Sequence, residues 1–416
     1  MSAYSLFQRG LALFLLASIL LALFVPSPGR AQGFTTAAKH AILIEQETGT
    51  VLYEKAADER FPPASMAKMM TLYILFEQIH SGALSLDDTT RVSSHAWKRW
   101  AGSEGSLMFL SENEEVSVEQ LIRGIIVASG NDACTVVAEM LAGSEDAFAQ
   151  WMNAKAEELG MTNSHYRNAS GWPAPDQYTT ARDLALLADR TIRDFPELYH
   201  YYGEKTFTHG RDFRTGQPIT QHNRNPLLYR VEGADGLKTG HTKAAGYGLT
   251  GSAKRGDRRL IVVVSGLSSQ SERSRESQAL IEYGFRAFRT YPLFAAGEPV
   301  VNADVWLGEA AKVPLVVENS LVLTLSRRDR AGMKVKVRYA QPIPAPIVKG
   351  DRLGELVITW PSRSEPLVVP LLAGESVAQV GGFGKIAAAF EYLVFGSSGT
   401  REGAAQTAAQ EKGEGA

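Results

Sequence analysis

The chain has 416 residues, with 43 lysines and arginines against 45 aspartates and glutamates, and 44% of its residues are hydrophobic. This ordinary globular composition excludes a disordered chain, a collagen-like repeat and a polytopic membrane protein. The near-neutral charge excludes a protein that acts mainly on nucleic-acid phosphates. At about 100–200 residues per domain, the length predicts two or three domains.

The first 31 residues are typical of a secretory signal peptide. Arg9 precedes an uncharged apolar run over 11–25, which is followed by prolines. Gly29 and Ala31 then place small residues at the positions that a cleavage site requires. The apolar run, at about 15 residues, is short for a membrane span. We therefore predict that residues 1–31 are removed and the protein is exported, with an uncleaved anchor as the alternative.

The next 260 or so residues alternate between strand and helix patterns in blocks. We predict strands over 40–44 and 51–54, helices from Ser65 to Phe76 and over 118–128, 132–141 and 180–188, a hairpin with arms 246–253 and 259–265, and a helix over 272–288. Strands, then helices, then strands and a helix indicate an α+β domain whose antiparallel sheet joins both ends of the segment. We assign this domain to residues 34–292.

The character of the sequence changes after Pro292. Short alternating runs such as Lys334–Tyr339 are separated by turns rich in proline and glycine, and no helical periodicity is visible before Gly381. This pattern is typical of strands joined by tight turns. Residues 297–376 are therefore predicted to form a small all-β domain.

The C-terminal segment has two sections. Over 381–396 the apolar residues recur at intervals of three and four, which predicts an amphipathic helix with one apolar stripe formed by Phe383, Ile386, Phe390 and Leu393. About 14 residues rise only about 21 Å, so such a helix lies in a membrane surface rather than crossing it. A helix docked on the β domain is the alternative. Residues 397–416 are predicted to be disordered.

One short motif pairs a hydroxyl with an amine. Ser65 and Lys68 lie at positions i and i+3, on one face of the first turn of a predicted helix. A serine nucleophile needs an adjacent base, and a lysine can serve if burial or a neighbouring cation lowers its pKa. By itself this motif is weak, because Ser-x-x-Lys occurs by chance about once in a chain of this size. An exposed capping pair is the alternative.

Two further segments carry similar groups. Ser129 and Asn131 lie between two predicted helices, where the hydroxyl could relay a proton and the amide could hold a carbonyl or the lysine. Lys238, Thr239 and Gly240 enter an apolar strand, where the cation and hydroxyl could bind a carboxylate and the glycine admits another backbone. The alternatives are a simple turn and a solvated hairpin edge.

Taken together, the three segments resemble the motifs of penicillin-binding proteins and serine β-lactamases. The resemblance is strongest to the low-molecular-mass D-alanyl-D-alanine carboxypeptidases, through the segments 177–183, 221–225, 235–242 and 245–247. It extends from about Ala38 to Phe395. It implies a penicillin-binding transpeptidase fold, with an antiparallel sheet flanked by helices, followed by a small all-β domain.

The resemblance also implies roles for these residues. Ser65 would attack the penultimate D-alanine carbonyl, and Lys68 would accept its proton. Ser129 with Lys238 would pass a proton to the departing D-alanine. The oxyanion hole would use the backbone N–H groups of Ser65 and of the strand near His241.

Substrate binding is implied for three further positions. Asn131 would position Lys68 and the substrate amide. Thr239 would hold the terminal carboxylate with the help of Arg273, for which a solvated charge at a helix start is the alternative. Trp172 and Pro173 depart from the pattern of many relatives and would alter the lip of the cleft.

We therefore predict a serine-type D-Ala-D-Ala carboxypeptidase that trims peptidoglycan stem pentapeptides and is inhibited by β-lactams. The alternatives are a D,D-endopeptidase acting on cross-links, a β-lactamase and a catalytically idle wall-binding protein. Common serine β-lactamases deacylate through a glutamate, whereas the segment 164–168 contains no acid. The intact serines and lysines argue against an idle protein.

The expected partners are stem peptides, β-lactams and the inner-membrane surface, which residues 381–396 would contact; no nucleic acid, cofactor or metal is expected. The histidines are dispersed and form no metal-binding motif. Cys134, the single cysteine, lies in an apolar run and is predicted to face a core. The predicted location is the periplasm, with peripheral attachment to the inner membrane.

Overall fold

The computed structural model describes residues 34–212 and 214–382. The predicted signal peptide at 1–31, the predicted anchor helix at 381–396 beyond Gly382 and the predicted tail at 397–416 lie outside the described residues. Within the described ranges, no helix is both long enough and apolar enough to cross a membrane.

A five-stranded antiparallel sheet organises the first part of the structure. Its order is β2-β1-β9-β8-β7, with the bounds β1 His40–Glu45, β2 Val51–Lys55, β7 Ala234–Thr242, β8 Gly246–Arg255 and β9 Arg258–Leu267. Strand β1 pairs with β9 from His40 opposite Ser265 to Glu45 opposite Leu260. The two ends of this part of the chain therefore lie side by side, as predicted.

Helices fill the interval between β2 and β7 and follow β9. Their bounds are α1 Lys68–His80, α2 Ser94–Trp100, α3 Val118–Arg123, α4 Asn131–Ala142, α5 Glu145–Glu158, α6 Ala181–Asp194, α7 Leu227–Arg230 and α8 Gln270–Ala287. Both α6 and α8 pack on β9, and residues 260–265 of that strand are buried without alternation. A strand that is buried on both faces carries apolar residues at successive positions. This explains why the run Ile261–Val264 does not alternate with polar residues.

Shorter elements complete this part. Two-stranded sheets are formed by β3 Thr89–Arg91 with β4 Glu115–Ser117 and by β5 Thr206–Arg211 with β6 Pro218–His222. The helix predicted over 118–128 begins with a capping box at Ser117 but becomes a π-helical turn over Gly124–Ala128. Such turns are concentrated at functional sites, and this one ends at Ser129.

The second part of the structure is built mainly from strands. Its six-stranded sheet has the order β14-β16-β17-β12-β11-β15, and β10 pairs with β13 beside it. The bounds are β10 Phe288–Phe294, β11 Pro299–Trp306, β12 Lys312–Val316, β13 Leu321–Ser326, β14 Lys334–Tyr339, β15 Ile343–Pro344, β16 Arg352–Thr359 and β17 Leu367–Ala373. The sequence predicted no helix between Pro292 and Gly381. This prediction is wrong for one short helix, α9 Arg327–Ala331, which Ser326 caps.

The two parts share a buried polar contact. Thr324 of β13 donates a hydrogen bond to Glu45 Oε2 of β1 at 3.4 Å, and its hydroxyl lies 3.1 Å from that of Thr48. Strand β10 follows α8 without a break, so residues 288–292 already pair with the second part. The predicted fold class, an α+β domain with an antiparallel sheet flanked by helices followed by a β domain, is confirmed.

Candidate active site

A cleft of about 760 Å³ opens where β7 meets the start of α1, the π-helical turn and the loop after Asn168. Its lining includes most of the predicted site residues, namely Ser65, Ser129, Asn131, Thr239, Gly240, His241 and Arg273. Lys68 and Lys238 lie behind this lining and are fully buried or nearly so. The structure therefore brings the three sequence motifs into one cavity.

Ser65 lies on the turn of 3₁₀ helix Ala64–Ala67 that leads directly into α1. The turn starts after Pro63, and Ala64 has a left-handed φ of 48°. Strained backbone of this kind is concentrated at functional sites. The Ser65 side chain is partly exposed to the cleft, while Lys68, one turn further on, is buried.

Three oxygen atoms surround the Lys68 amine. Its Nζ lies 2.9 Å from Ser65 Oγ, 2.7 Å from Asn131 Oδ1 and 2.6 Å from the backbone oxygen of Ser170. The amide and backbone oxygens can only accept hydrogen bonds. A neutral amine has two N–H groups and one lone pair. If those N–H groups go to Asn131 and Ser170, the lone pair faces the serine hydroxyl.

The surroundings of Lys68 favour its neutral form. Burial, the largest effect, lowers the pKa of Lys68 to about 8, and the positive charge of Arg224 acts in the same direction. Desolvation penalises the charged form of an amine, and a nearby cation does so too. At neutral to mildly alkaline pH, a substantial fraction of Lys68 can therefore accept a proton.

A second serine–lysine pair lies at the same cleft. Lys238 Nζ donates to Ser129 Oγ at 3.0 Å and to the backbone oxygen of Thr239 at 3.2 Å. Burial, followed by the charge of Lys68, holds the pKa of Lys238 well below its usual range. Ser129 has a left-handed φ of 58° at the end of the π-helical turn, so its hydroxyl too is presented by strained backbone.

Strand β7 passes very close to the turn that carries Ser65. A Cβ atom on Gly240 would lie 3.1 Å from the backbone oxygen of Pro63 and 3.2 Å from Ala64 Cβ. Only glycine allows this approach without a shift of one backbone. The next residue, His241, is exposed and stacks on Tyr247 with ring centroids 3.9 Å apart.

Two arginines line the same side of the cleft. Arg273 is 6% exposed, so the alternative of a solvated charge is wrong. Its Nη2 donates to the backbone oxygen of Arg224 at 3.3 Å, while its Nε is buried without a partner in the described residues. Burial lowers the pKa of Arg273 to about 10. A buried guanidinium with which no carboxylate of the described residues pairs suits an anion in the cleft.

The loop over 168–172 supplies the carbonyl that Lys68 contacts. Gly171 has a φ of 75°, and a Cβ there would lie 1.9 Å from the backbone oxygen of Ala64, so the loop packs tightly under the Ser65 turn. Glu145 supports the loop from behind, because its Oε1 accepts from Ala169 N at 3.3 Å. Trp172 reaches the cleft lip, 43% exposed, as predicted for its side chain.

Sequence reasoning missed several of these groups. Ser170 acts through its backbone oxygen, which has no signature in a sequence. Arg224 lies inside a segment that carries the resemblance, but nothing in the sequence indicates that it lines the cleft. Asp132, next to Asn131, accepts hydrogen bonds from three successive backbone N–H groups, those of Met108, Phe109 and Leu110, and its sequence position does not indicate this contact.

The remaining sequence candidates have structural explanations. Cys134 is fully buried, and burial raises the pKa of its thiol to about 12, so its reactive thiolate form is suppressed. In the part of the chain that the structure describes, no group of three or more histidines, cysteines, aspartates or glutamates could hold a metal ion.

Profiles of two known protein families match this chain. A profile of the D-alanyl-D-alanine carboxypeptidase family matches residues 27–269, more than half of the chain. The chain belongs to the D-alanyl-D-alanine carboxypeptidase family. A second profile, described as the C-terminal domain of penicillin-binding protein 5, matches residues 288–379. The resemblance predicted from the sequence is therefore confirmed.

Individual members of this family are similar along nearly their whole length. D-alanyl-D-alanine carboxypeptidase DacC of Escherichia coli is 36% identical over 394 residues, which cover 93% of this chain and 96% of DacC. DacF of Bacillus subtilis is 36% identical and covers 83% of this chain and 88% of its own. The crystal structure of DacD from Francisella tularensis superimposes with a TM-score of 0.74 at 32% identity, covering 86% of this chain and 97% of DacD. The chain is thus a serine-type hydrolase of this carboxypeptidase family, and the carboxypeptidase prediction holds over the alternatives.

Proposed function

We propose that the protein removes the terminal D-alanine from peptidoglycan stem pentapeptides through an acyl-enzyme on Ser65. The observation that carries this proposal is the contact between Ser65 Oγ and the buried Lys68 amine, 2.9 Å apart. A nucleophile within hydrogen-bond reach of a base whose pKa is lowered toward neutrality is the arrangement that acyl transfer requires.

Acylation starts with proton transfer from Ser65 Oγ to the lone pair of Lys68 Nζ. The serine oxygen forms a bond to the penultimate D-alanine carbonyl carbon, and the developing oxyanion faces the backbone N–H groups of Ser65 and His241. Such donors stabilise the transition state because they are held in place before the charge develops. The close approach of Gly240 to the Ser65 turn supports this pairing of strand and turn.

The second step breaks the peptide bond. The Ser129 hydroxyl, hydrogen-bonded to Lys238, donates a proton to the departing D-alanine nitrogen as the C–N bond breaks, and Lys238 reprotonates Ser129. In hydrolysis, the oxygen of a water molecule bonds to the acyl carbon and a water proton passes to Lys238, while Lys68 returns its proton to Ser65 Oγ as the ester C–O bond breaks. Because Lys238 is buried beside another lysine, it gives up its proton more readily than an exposed lysine does.

The carboxylate of the terminal D-alanine is placed against Thr239 and Arg273. Arg273 lines the cleft, no carboxylate of the described residues pairs with it, and Thr239 on β7 lines the same cleft. Asn131 is proposed to contact both the base and the substrate. Its side-chain oxygen accepts a hydrogen bond from Lys68, and its side-chain NH₂ group is directed to the substrate amide. β-Lactams would acylate Ser65 in the same way and act as inhibitors.

The test is direct. The purified protein is incubated with a stem pentapeptide, and free D-alanine is measured; in parallel, the protein is treated with penicillin and digested for mass spectrometry. We expect D-alanine release and one adduct on the peptide that contains Ser65. The Ser65→Ala variant should lose both. An adduct that persists on this variant would remove Ser65 from the role proposed here.

We further propose an exported protein with residues 34–292 as the catalytic domain, 297–376 as a β domain and 381–396 as a peripheral anchor on the inner membrane, ahead of the tail at 397–416. The support is the signal-like pattern of residues 1–31 and the apolar stripe of the C-terminal segment. Lys385 is balanced by Glu391, so the apolar stripe rather than attraction to anionic lipid would hold the anchor on the membrane.

Fractionation tests this location. N-terminal sequencing of the exported protein should start at Gln32. Deletion of residues 381–416 should move the protein from the membrane fraction to the soluble fraction, while D-alanine release from a soluble peptide continues. The anchor is contradicted if the full mature chain stays soluble in the presence of liposomes.

A further inference from the structure

The charged residues that line the cleft are unevenly distributed. Among the described residues, Glu104 is the single carboxylate in the lining, whereas Arg224, Lys243 and Arg273 are cations. Glu104 is exposed, and no hydrogen bond or ion pair of its side chain occurs within the described residues. An unpaired carboxylate at the edge of a cleft with this excess of cations is available to a positively charged group of a ligand.

Neighbouring contacts hold the backbone of Glu104 beside Asn131. The next residue, Gly105, packs so closely that a Cβ there would lie 2.7 Å from Asn131 Nδ2 and 3.3 Å from the ring of Trp172. One residue further on, the backbone oxygen of Ser106 accepts from Asn131 N at 2.8 Å. Glu104 therefore projects from a segment fixed to the Asn131 side of the cleft.

With the substrate oriented as in the proposed reaction, we assign this position to the acyl side of the scissile bond. In the proposed reaction, the terminal D-alanine carboxylate lies against Thr239 and Arg273. Asn131 contacts Lys68 and, through it, the Ser65 end of the cleft. An extended peptide advances about 3.3 Å per residue, so the residue that precedes the two D-alanines falls near the edge formed by Glu104 and Trp172.

The residues at that edge suit a side-chain amine carried on several methylene groups. Trp172 is 43% exposed and braced edge-on by Trp100, with ring centroids 5.2 Å apart. An exposed aromatic face covers methylene groups and attracts a cation. A peptide with an amine at this residue and a carboxylate at its end matches the charges of the cleft in both places.

We infer that Glu104 is a specificity-determining residue that binds the side-chain amine of the diamino acid preceding the two D-alanines. The inference rests on the proposed function, because it takes the orientation of the substrate from that reaction. Glu104 contributes through an exposed ion pair, so its effect on turnover is modest and falls as salt is raised.

Two peptides isolate this contact. Nα-acetyl-L-Lys-D-Ala-D-Ala carries a free side-chain amine, and its Nα,Nε-diacetyl counterpart carries a neutral amide in the same place. D-Alanine release gives kcat/KM for each, and the measured quantity is the ratio of the two values at low and high salt. The variants are Glu104→Gln, Glu104→Lys and, as a control, Glu157→Gln, an exposed carboxylate outside the cleft.

We expect Glu104→Gln to lower the ratio of free-amine to acetylated turnover by about threefold at low salt, and Glu104→Lys to lower it further. Glu157→Gln should keep the wild-type ratio. An unchanged ratio in both Glu104 variants would overturn the inference. If the wild type released no D-alanine from either peptide, the proposed function itself would fail, and the inference with it.

Discussion

Two serine–lysine pairs lie at the cleft, and their geometry is nearly the same. Lys68 Nζ lies 2.9 Å from Ser65 Oγ, and Lys238 Nζ lies 3.0 Å from Ser129 Oγ. Both lysines are buried, and the pKa of each is lowered. The pairs differ in their remaining partners. Lys68 faces two further acceptors, Asn131 and Ser170, whereas Lys238 has one, its neighbour Thr239.

This difference explains how two similar pairs can carry out opposite proton transfers. Two fixed acceptors use up both N–H groups of a neutral Lys68, so its lone pair is directed at Ser65, as the proposed base requires. Lys238 has a single other acceptor, so its ammonium form keeps an N–H for Ser129 and can supply the proposed proton through that hydroxyl. The number of oxygen acceptors around each amine, rather than its burial, distinguishes the two proposed roles.

The largest expected effect comes from removing the proposed base. Lys68→Ala should slow acylation of Ser65 by penicillin by about 10²–10⁴-fold, and by more if serine and lysine act as a unit. Lys155→Ala is the matched control, because Lys155 is also buried but is paired with Glu77 and Glu158 outside the cleft. Stopped-flow acylation rates provide the measurement. A normal rate for Lys68→Ala at neutral pH would assign the base to another group.

Arg273→Ala should have the next largest effect. Loss of a charge-assisted contact to the terminal carboxylate should lower kcat/KM by about 10–100-fold for a peptide with a free carboxylate. The C-terminal amide of the same peptide should lose much less. Arg275→Ala serves as the control, since Arg275 is 64% exposed and paired with Glu276. If Arg273→Ala lowered kcat/KM equally for the free-carboxylate peptide and its amide, Arg273 would not bind the terminal carboxylate.

Asn131→Asp should have a smaller effect that sharpens the distinction between the two lysines. The substitution places a carboxylate where Asn131 Oδ1 now lies 2.7 Å from Lys68 Nζ. A nearby negative charge favours protonated lysine and should raise the pKa of Lys68 by about one unit or more. The acid limb of the acylation profile should then move to higher pH, with about a tenfold loss at pH 7. A profile that stays in place would show that Lys68 does not set it.

The two pairs also differ in how far they could be predicted from the sequence. Ser65 and Lys68 are three residues apart, and the helix alone brings their side chains to one face. Ser129 and Lys238 are 109 residues apart, so their pairing depended on a resemblance to known proteins. The antiparallel sheet could be predicted from the order of strand and helix patterns, because its strands carry continuous or alternating apolar runs.

Other features needed the folded chain. The helix predicted over 118–128 widens into a π-helical turn at Gly124, and no residue pattern marks that change. The backbone oxygen of Ser170 enters the site because Gly171 lets the loop pack against Ala64. Glu104 has an ordinary surface composition around it, and its position beside Asn131 arises from tertiary contacts of the two following residues.

The pH dependence of Ser65 acylation tests the central claim most directly, because the base must be neutral to accept a proton. Burial lowers the pKa of Lys68 to about 8, so the fraction of neutral lysine increases as pH rises through that value. We expect the second-order acylation rate of the wild type with penicillin, measured from pH 5.5 to 10, to rise with a midpoint near 8 and to lose this limb in Lys68→Ala. A rate that is flat across this range, or that rises only at the pKa of an ordinary exposed lysine, would contradict the assignment of Lys68 as the base.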